Sequence, residues 1–370
     1  MPCGRQTSSS CRERASCILT SAGRRKLRIL VTVDPEIPVP PHTYGGVERI
    51  AAGLITALRL RGHEVGLVAH PDSVCQNDAF YPWAGLRSQN RIDGFNNMRV
   101  LRNAVVAFKP NLLHSFSRIL YMVPVIRHVL PKIMSYGREP TRRTVGFGAT
   151  LAKGSLSFTG CSDYICRQGR KAGGDWRAIH NFVDTDFYQF QPKVANDAPL
   201  VFLSRVERIK GAHTAIAVAR RAGRRLIIAG NHSATGAELD YWKTEIVPKL
   251  GEGVEYVGPV DDAQKNELLG RSAAMIVPIE WNEPFGIVFA EALACGAPVI
   301  SCPRGALPEI VRHGVDGFLV NSVEEACDSV ANLNKIDRAT CRKRAEQHFS
   351  IPVIAAQYER LYEERMAGVR

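Results

Sequence analysis

Short apolar runs alternate with amphipathic stretches along this chain. Residues 27–33 (LRILVTV) form an apolar run closed by Asp34 and Pro35, as expected of a strand buried on both faces. Residues 47–61 then place Val47, Ile50, Leu54, Ala57, Leu58 and Arg61 near helical spacing and stop at Gly62, which predicts a helix. Further strands are predicted at 65–69, 112–116, 133–136 and 156–159, most of them separated by room for a helix. The alternation restarts at 200–206 and continues through 225–229, 254–257, 274–279 and 299–302. Alternating strands and helices predict an α/β protein with parallel sheets covered on both faces. Residues 187–199 (FYQFQPKVANDAP) show no period and read as a linker. Two doubly wound, Rossmann-like domains follow, at 27–186 and 200–348, with a closing segment at 349–370.

Composition narrows the class. With 370 residues, 45% hydrophobic and 23% charged, the chain carries enough apolar material for two cores, which excludes a disordered protein or a small disulfide scaffold. The longest apolar candidate, 119–126, falls far short of the roughly 18 residues a membrane-spanning helix needs. The ten cysteines form no CxxC pair, so a zinc site and a disulfide framework are poor readings and a reducing cytosol is expected. The net charge of +12 is uneven. Residues 1–26 hold six basic and one acidic side chain, and 27–185 hold twenty against eleven, leaving the remainder at −2. Residues 1–26 are Ser/Arg-rich without apolar period and are expected to be a disordered basic leader. A transit peptide fits their composition but lacks a clear amphipathic helix.

Parallel sheets bind ligands at the carboxyl ends of their strands. No GxGxxG follows the first strand, the second strand ends in Ala69 and His70 without an acid, and Walker A is absent. Dinucleotide cofactors are therefore not expected. Asp184 and Asp186 form a DxD, which beside Asn181 reads better as an Asx turn than as a metal–diphosphate site. Gly45 and Gly46 precede a helix, where they either make a simple turn or let an anion approach unpaired N–H groups. Arg205 and Lys210 flank one strand-to-helix loop, as diphosphate ligands or as solvated charges.

Residues 283–300 (EPFGIVFAEALACGAPVI) are the most informative. Phe285, Val288, Phe289, Ala292 and Leu293 form a buried helix stripe, with Pro284, Phe285 and Gly286 predicted as its first turn. Glu283 precedes the helix, and Glu291 lies far enough along for its carboxylate to reach back over the helix start. A carboxylate accepts two O–H donors, as a vicinal diol supplies.

These residues resemble the retaining glycosyltransferases of family 4, which have the GT-B fold. The resemblance covers nearly the whole chain after Leu27: GGVE at 45–48, NFVD at 181–184, SRVERIKG at 204–211, YVGPV at 256–260, the E-x7-E of EPFGIVFAE, and RGALPEIVRHGVDGFLV at 304–320. It implies two Rossmann-like domains facing a cleft, with 349–370 as a helix crossing back onto the first. It further implies transfer of a sugar from a nucleoside diphosphate sugar, with retention, to a glycan, lipid-linked or small-molecule acceptor. Arg205 and Lys210 would neutralise the leaving diphosphate, Glu283 would contact the donor sugar, and Glu291 would hold the ribose diol. Backbone around Gly45 and Gly46, and at Phe285, Gly286, Ile287 and Val288, would bind phosphate or sugar oxygens, with Val260 in the loop facing the base. No cofactor and no metal is implied, since fixed cations and helix dipoles meet the leaving charge.

One departure stands out: many relatives carry a His near the donor sugar after the strand at 132–136, where this chain has Tyr136, which by the resemblance would bind the donor through a donated hydrogen bond but would not act as a base near neutral pH. His114 is a second candidate, as an active-site residue or a satisfied strand histidine. The positive first domain is expected to meet an anionic acceptor or, through Arg118, Arg127 and Lys132, the face of an anionic membrane; the rival for 119–131 is a core helix interrupted by proline. Nucleic acid is not expected, because no recognisable module accompanies the charge. Competing readings are a non-catalytic sugar-nucleotide-binding or scaffold protein and a sugar-nucleotide epimerase of the same architecture.

Overall fold

The computed structural model describes residues 25–42 and 45–368; most of the expected leader lies outside them. The first sheet comprises β1 (Arg28–Thr32), β2 (Glu64–Ala69), β3 (Ala79–Pro82), β4 (Leu112–Ser115), β5 (Lys132–Tyr136), β6 (Leu156–Gly160) and β7 (Trp176–Ala178). Its order is β3-β2-β1-β4-β5-β6-β7, all parallel. Helices α1 (Gly46–Leu60), α2 (Arg91–Phe108), α3 (Arg142–Leu151) and α4 (Asp163–Arg170) connect these strands.

The second sheet repeats the plan with β8 (Leu200–Leu203), β9 (Leu226–Ala229), β10 (Val254–Gly258), β11 (Ala274–Val277), β12 (Val299–Ser301) and β13 (Gly317–Leu319). They run parallel in the order β10-β9-β8-β11-β12-β13. Around them lie α5 (Ala212–Arg221), α6 (Gly236–Tyr241), α7 (Asp262–Arg271), α8 (Ile287–Ala294), α9 (Leu307–Ile310) and α10 (Val323–Ala331). Strand order reverses between β1 and β4 and between β8 and β11, so each domain offers a crevice at the carboxyl edge of its sheet.

Two last helices close the chain, α11 (Arg338–His348) and α12 (Ile351–Ala367). α12 returns to the first domain, where Ile354, Ala355, Tyr358, Leu361 and Tyr362 are buried against Leu27, Ile29, Ile50 and Leu54. Ile354 and Leu361 each contribute roughly 1.5–3 kcal/mol by burial. Polar pins fix its register: His114 Nδ1 lies 2.7 Å from the Tyr362 hydroxyl, and Glu359 binds His63 at 2.9 Å and Arg61 at 2.6 Å.

The structure departs from the sequence reading in several places. Edge strands β3, β7 and β13 went unpredicted, being only three or four residues long. The apolar stretch after β4 is a 3-10 helix, Ile119–Val125, because Pro124 withholds an N–H. Lys132, expected on a basic membrane-facing surface, is fully buried, and its Nζ donates to the carbonyls of His128 (2.6 Å) and Leu130 (2.7 Å) and to Ser155 Oγ (2.9 Å). Its burial pushes the amine down to about 8. The stretch 187–199 has no regular element, yet it lies against the second domain: Tyr188 is buried and the Gln191 carbonyl accepts from Arg338 Nε at 2.7 Å.

Candidate active site

The carboxyl edges of the two sheets face each other. Across the gap, a Cβ added to Gly46 at the start of α1 would come within 3.8 Å of Ile287 Cδ1, at the start of α8. The domains also touch through the Pro284 carbonyl, which accepts from Ser162 Oγ at 2.6 Å. Glu309 of α9 accepts the backbone N–H groups of Asp163 (2.7 Å) and Tyr164 (2.8 Å), capping α4 of the other domain, and lies 3.2 Å from His180 Nε2. Burial would raise the Glu309 carboxyl, but these hydrogen bonds hold it below its ordinary range.

Between the strands and helices of the second domain, two buried carboxylates flank the start of α8. Glu283 is 9% and Glu291 5% exposed. Glu283 Oε2 takes both Lys210 Nζ at 2.6 Å and Trp281 Nε1 at 3.0 Å, while the lysine stands 4.5 Å over the Trp281 ring. Lys210 is delivered by a short 3-10 turn, Arg208–Lys210, that ends on Gly211 at φ 79°, where a Cβ would strike the Pro278 carbonyl oxygen. Gly305 (φ +61°) crowds the backbone of Glu283, whose carbonyl accepts from Ala306 N at 2.8 Å. Glu283 is thus held by side chain and main chain together.

Glu291 Oε1 lies 3.0 Å from Lys265 Nζ, which also binds Asp262 at 2.7 Å. Asp262 in turn pairs with Arg49 of α1, so this chain of charges crosses between domains. Burial, then the charge of Glu291, hold the proton of buried Tyr188 far above the ordinary range. The motifs and spacings of the sequence do not single out Lys265, Asp262, Arg49 or Tyr188. The only local signal is the capping box of Asp261 and Gln264, which places Lys265 in the first turn of α7.

The remaining candidates fall as follows. Helix α8 begins at Ile287, and Gly286 is its N-cap at φ 76°. The expected first turn at Pro284, Phe285 and Gly286 is therefore a loop before the helix: Phe285 is buried between His180 and Phe349, each with its ring 5.7 Å away. Ile287 and Val288 form the half-buried first turn, whose N–H groups have no partners within the helix. Arg205 is half exposed and pairs with Glu207 at 2.6 Å. Val260 is half-buried in the loop between β10 and α7. Gly45 is the N-cap of α1, where a Cβ would meet Pro41 at 2.7 Å and Glu48 Oε2 at 2.8 Å.

Tyr136 packs with Trp176 (5.4 Å) and Phe158 (6.2 Å), on the face of the first sheet opposite His114. His114 is fully buried between Tyr362 and Ser135, both at 2.7 Å, and burial pushes it down to about 3, so it stands as a neutral, satisfied strand histidine. Asp184 Oδ1 accepts from Asp186 N at 3.0 Å and Phe187 N at 3.1 Å, which is an Asx turn. Among the described residues no group of three or more His, Cys, Asp and Glu side chains is arranged to hold a metal ion, and no helix is long and apolar enough to cross a membrane.

Paired doubly wound sheets with the last helix crossing back match known structures over nearly their whole length. The chain has the GT-B fold. A glycosyltransferase from Rickettsia africae superimposes with a TM-score of 0.77 at 18% identity, covering 93% of this chain and 99% of that one. AviGT4, a glycosyltransferase involved in avilamycin A biosynthesis, gives 0.67 at 24% identity, covering 92% and 98%. HepE of Anabaena, in complex with UDP and glucose, gives 0.69 at 20% identity, covering 91% and 100%. Residues 184–348 match the family model of glycosyl transferases group 1. D-inositol 3-phosphate glycosyltransferase of Mycobacterium tuberculosis is 29% identical over 217 residues, 54% of this chain and 45% of the relative. The chain therefore spans about half the length of the curated relatives it matches.

Proposed function

We propose that this chain is a retaining glycosyltransferase that takes its sugar from a nucleoside diphosphate donor bound against the second domain. The observation that carries the reading is the pair of buried carboxylates, Glu283 and Glu291, on either side of the start of α8, each matched by a lysine, Lys210 from the turn after β8 and Lys265 from the first turn of α7. In this reading Lys210 and Arg205 face the diphosphate, aided by the N–H groups of Ile287 and Val288. Both hydrogen bonds of Glu283 go to Oε2, which leaves Oε1 for a donor-sugar hydroxyl. Glu291, oriented by Lys265 on Oε1, takes the ribose diol. The bond from the anomeric carbon to the diphosphate breaks, the acceptor oxygen bonds to that carbon on the same face, and the acceptor proton passes to the leaving phosphate. Fixed cations and backbone donors that meet the developing charge supply the rate enhancement, without a metal. The complexes of HepE with UDP-glucose and with UDP are consistent with a donor of this class.

A thermal-shift panel with UDP, GDP, ADP and dTDP, with and without magnesium, tests the reading. A ligand at 100 times its Kd stabilises by about 2.7 kcal/mol. One nucleotide is expected to raise Tm without magnesium, and Glu291→Ala to weaken it by about 10- to 150-fold, the loss of hydrogen bonds to a charged group. Unchanged affinity in folded Glu291→Ala would refute the diol assignment.

A further inference from the structure

A solvated helix face ordinarily mixes charges of both signs, so a face that carries one sign among apolar side chains calls for a partner. Residues 91–153 hold eleven basic side chains and two acidic ones, Asp93 and Glu139. Both acids are engaged: Asp93 Oδ2 accepts from Arg87 N at 3.0 Å, and Glu139 accepts from the Tyr164 hydroxyl. The stretch folds into one helical layer on the first sheet, whose other face is covered by α1 and α12. A Cβ added to Gly94 of α2 would come within 3.4 Å of Leu120 Cδ2, and one added to Gly148 of α3 would strike Ile119 Cδ1. The 3-10 helix therefore lies between α2 and α3.

Helix α2 presents the densest part of this surface. At about 100° per residue, Arg91, Ile92, Phe95, Arg99, Arg102 and Val106 fall within a single arc of about 100°. That arc lies opposite the buried Leu101, Ala104 and Phe108. Ile92, Phe95 and Val106 are 71%, 51% and 65% exposed, and Arg99 Cζ stands 4.3 Å over the Phe95 ring. Leu120, Val129 and Phe147 add exposed apolar surface from the 3-10 helix, the loop after it and α3. Among the described residues none of Arg91, Arg99, Arg102, Arg127, Arg142 and Arg143 forms an ion pair. The arginines of α5 and α7 in the second domain all do: Arg220 with Glu252, Arg221 with Glu324 and Arg271 with Glu267.

We propose that this helical layer docks the protein on an anionic lipid bilayer, with the outward face of α2 turned to the headgroups. A bilayer interface accepts both kinds of side chain, the apolar ones at the boundary with the acyl chains and the guanidinium groups at the lipid phosphates. A nucleic acid would use the cations alone and leave Ile92 and Val106 in water. A second copy of the chain would set like charges against each other. Of Arg118, Arg127 and Lys132, which the sequence offers for such a face, only Arg127 contributes, because Arg118 pairs with Asp34 and Lys132 is buried. No residue of the second domain enters the argument, so it stands apart from the donor reading.

Flotation of the full chain with vesicles of phosphatidylcholine, alone or mixed with phosphatidylglycerol, tests the proposal at low and at physiological salt. Wild type is expected to float with the anionic vesicles only, and less at the higher salt, which screens the attraction. Arg99→Gln and Arg102→Gln should each lower the partition coefficient about fivefold and Phe95→Ser about tenfold. Arg221→Gln, on the second domain, should leave it unchanged. All four side chains lie at the surface, so unchanged Tm and circular dichroism are expected and verify folding. Failure to float with anionic vesicles, equal flotation with phosphatidylcholine alone, or first-domain variants that float as wild type does would each overturn the proposal. So would tighter binding to heparin or single-stranded DNA that is insensitive to Phe95→Ser, which would make the face a site for soluble polyanions.

Discussion

Replacing Lys210 by Met probes the ion pair on which the donor site is built. The side chains of Lys210 and Glu283 are 10% and 11% exposed and meet at 2.6 Å. Methionine keeps most of the stem against Trp281, but it strands the Glu283 charge with a single donor, Trp281 Nε1. Breaking a buried pair from one side costs about 3–5 kcal/mol, and the residual exposure at the cleft puts this one near about 3. For a domain of this size that lowers Tm by roughly 6–12 °C. The double variant Lys210→Met/Glu283→Gln removes the stranded charge while the amide still accepts from Trp281, so most of the loss is expected to return. Sugar transfer is not expected to return, since neither the cation nor the carboxylate is restored. Calorimetry of the wild type, both single variants and the double variant, with donor turnover alongside, closes the cycle. A drop below about 2 °C for Lys210→Met, or a double variant no more stable than the single, would show that Glu283 does not depend on Lys210.

Three further outcomes are expected. Burial would raise Glu359, yet hydrogen bonds from His63 and Arg61 hold it near about 2 against an ordinary 4.5, which corresponds to about 3 kcal/mol. A lowered carboxyl contributes its stability in full above 4.5 and loses it as pH falls towards 2. Calorimetry across that window should show the loss in wild type and a flattened profile in Glu359→Gln; parallel profiles would refute the assignment. His114, pushed by burial from 6.5 to about 3, adds an earlier acid loss, because the unfolded chain takes up its proton as pH falls below 6.5 and the folded one does not until about 3. In His114→Gln the decline between pH 6.5 and 4.5 should shrink, leaving the part due to His213 and His348, which burial also lowers; an unchanged decline would place it elsewhere. Glu309→Ala removes the cap that joins the domains and should cost about 1–3 kcal/mol, with a larger radius of gyration in small-angle scattering; an unchanged radius would mean that other contacts hold the cleft.

Much of this protein was legible before folding because the signals are local. Apolar runs, helical spacing and the glycines at 45, 46, 211 and 286 act within one turn or one strand, so they point to the two parallel-sheet domains, put Lys210 and Glu283 at strand-to-helix junctions and put Glu291 within the helix that follows. The three missed strands lie at sheet edges, where three or four residues carry too short a pattern. The first turn predicted at Phe285 failed because that ring is claimed by His180 and Phe349, a preference no helical period records. Pairings across the chain were decided by tertiary structure alone. Arg49 and Asp262 are 213 residues apart and Lys265 and Glu291 26, and neither spacing distinguishes an ion pair from two solvated charges. By composition Lys132 counts as surface charge, yet the fold buries it among carbonyls. Charge and periodicity determine which residues are available to a site; which of them meet, and which are already satisfied, is decided when the chain closes around them and water is excluded.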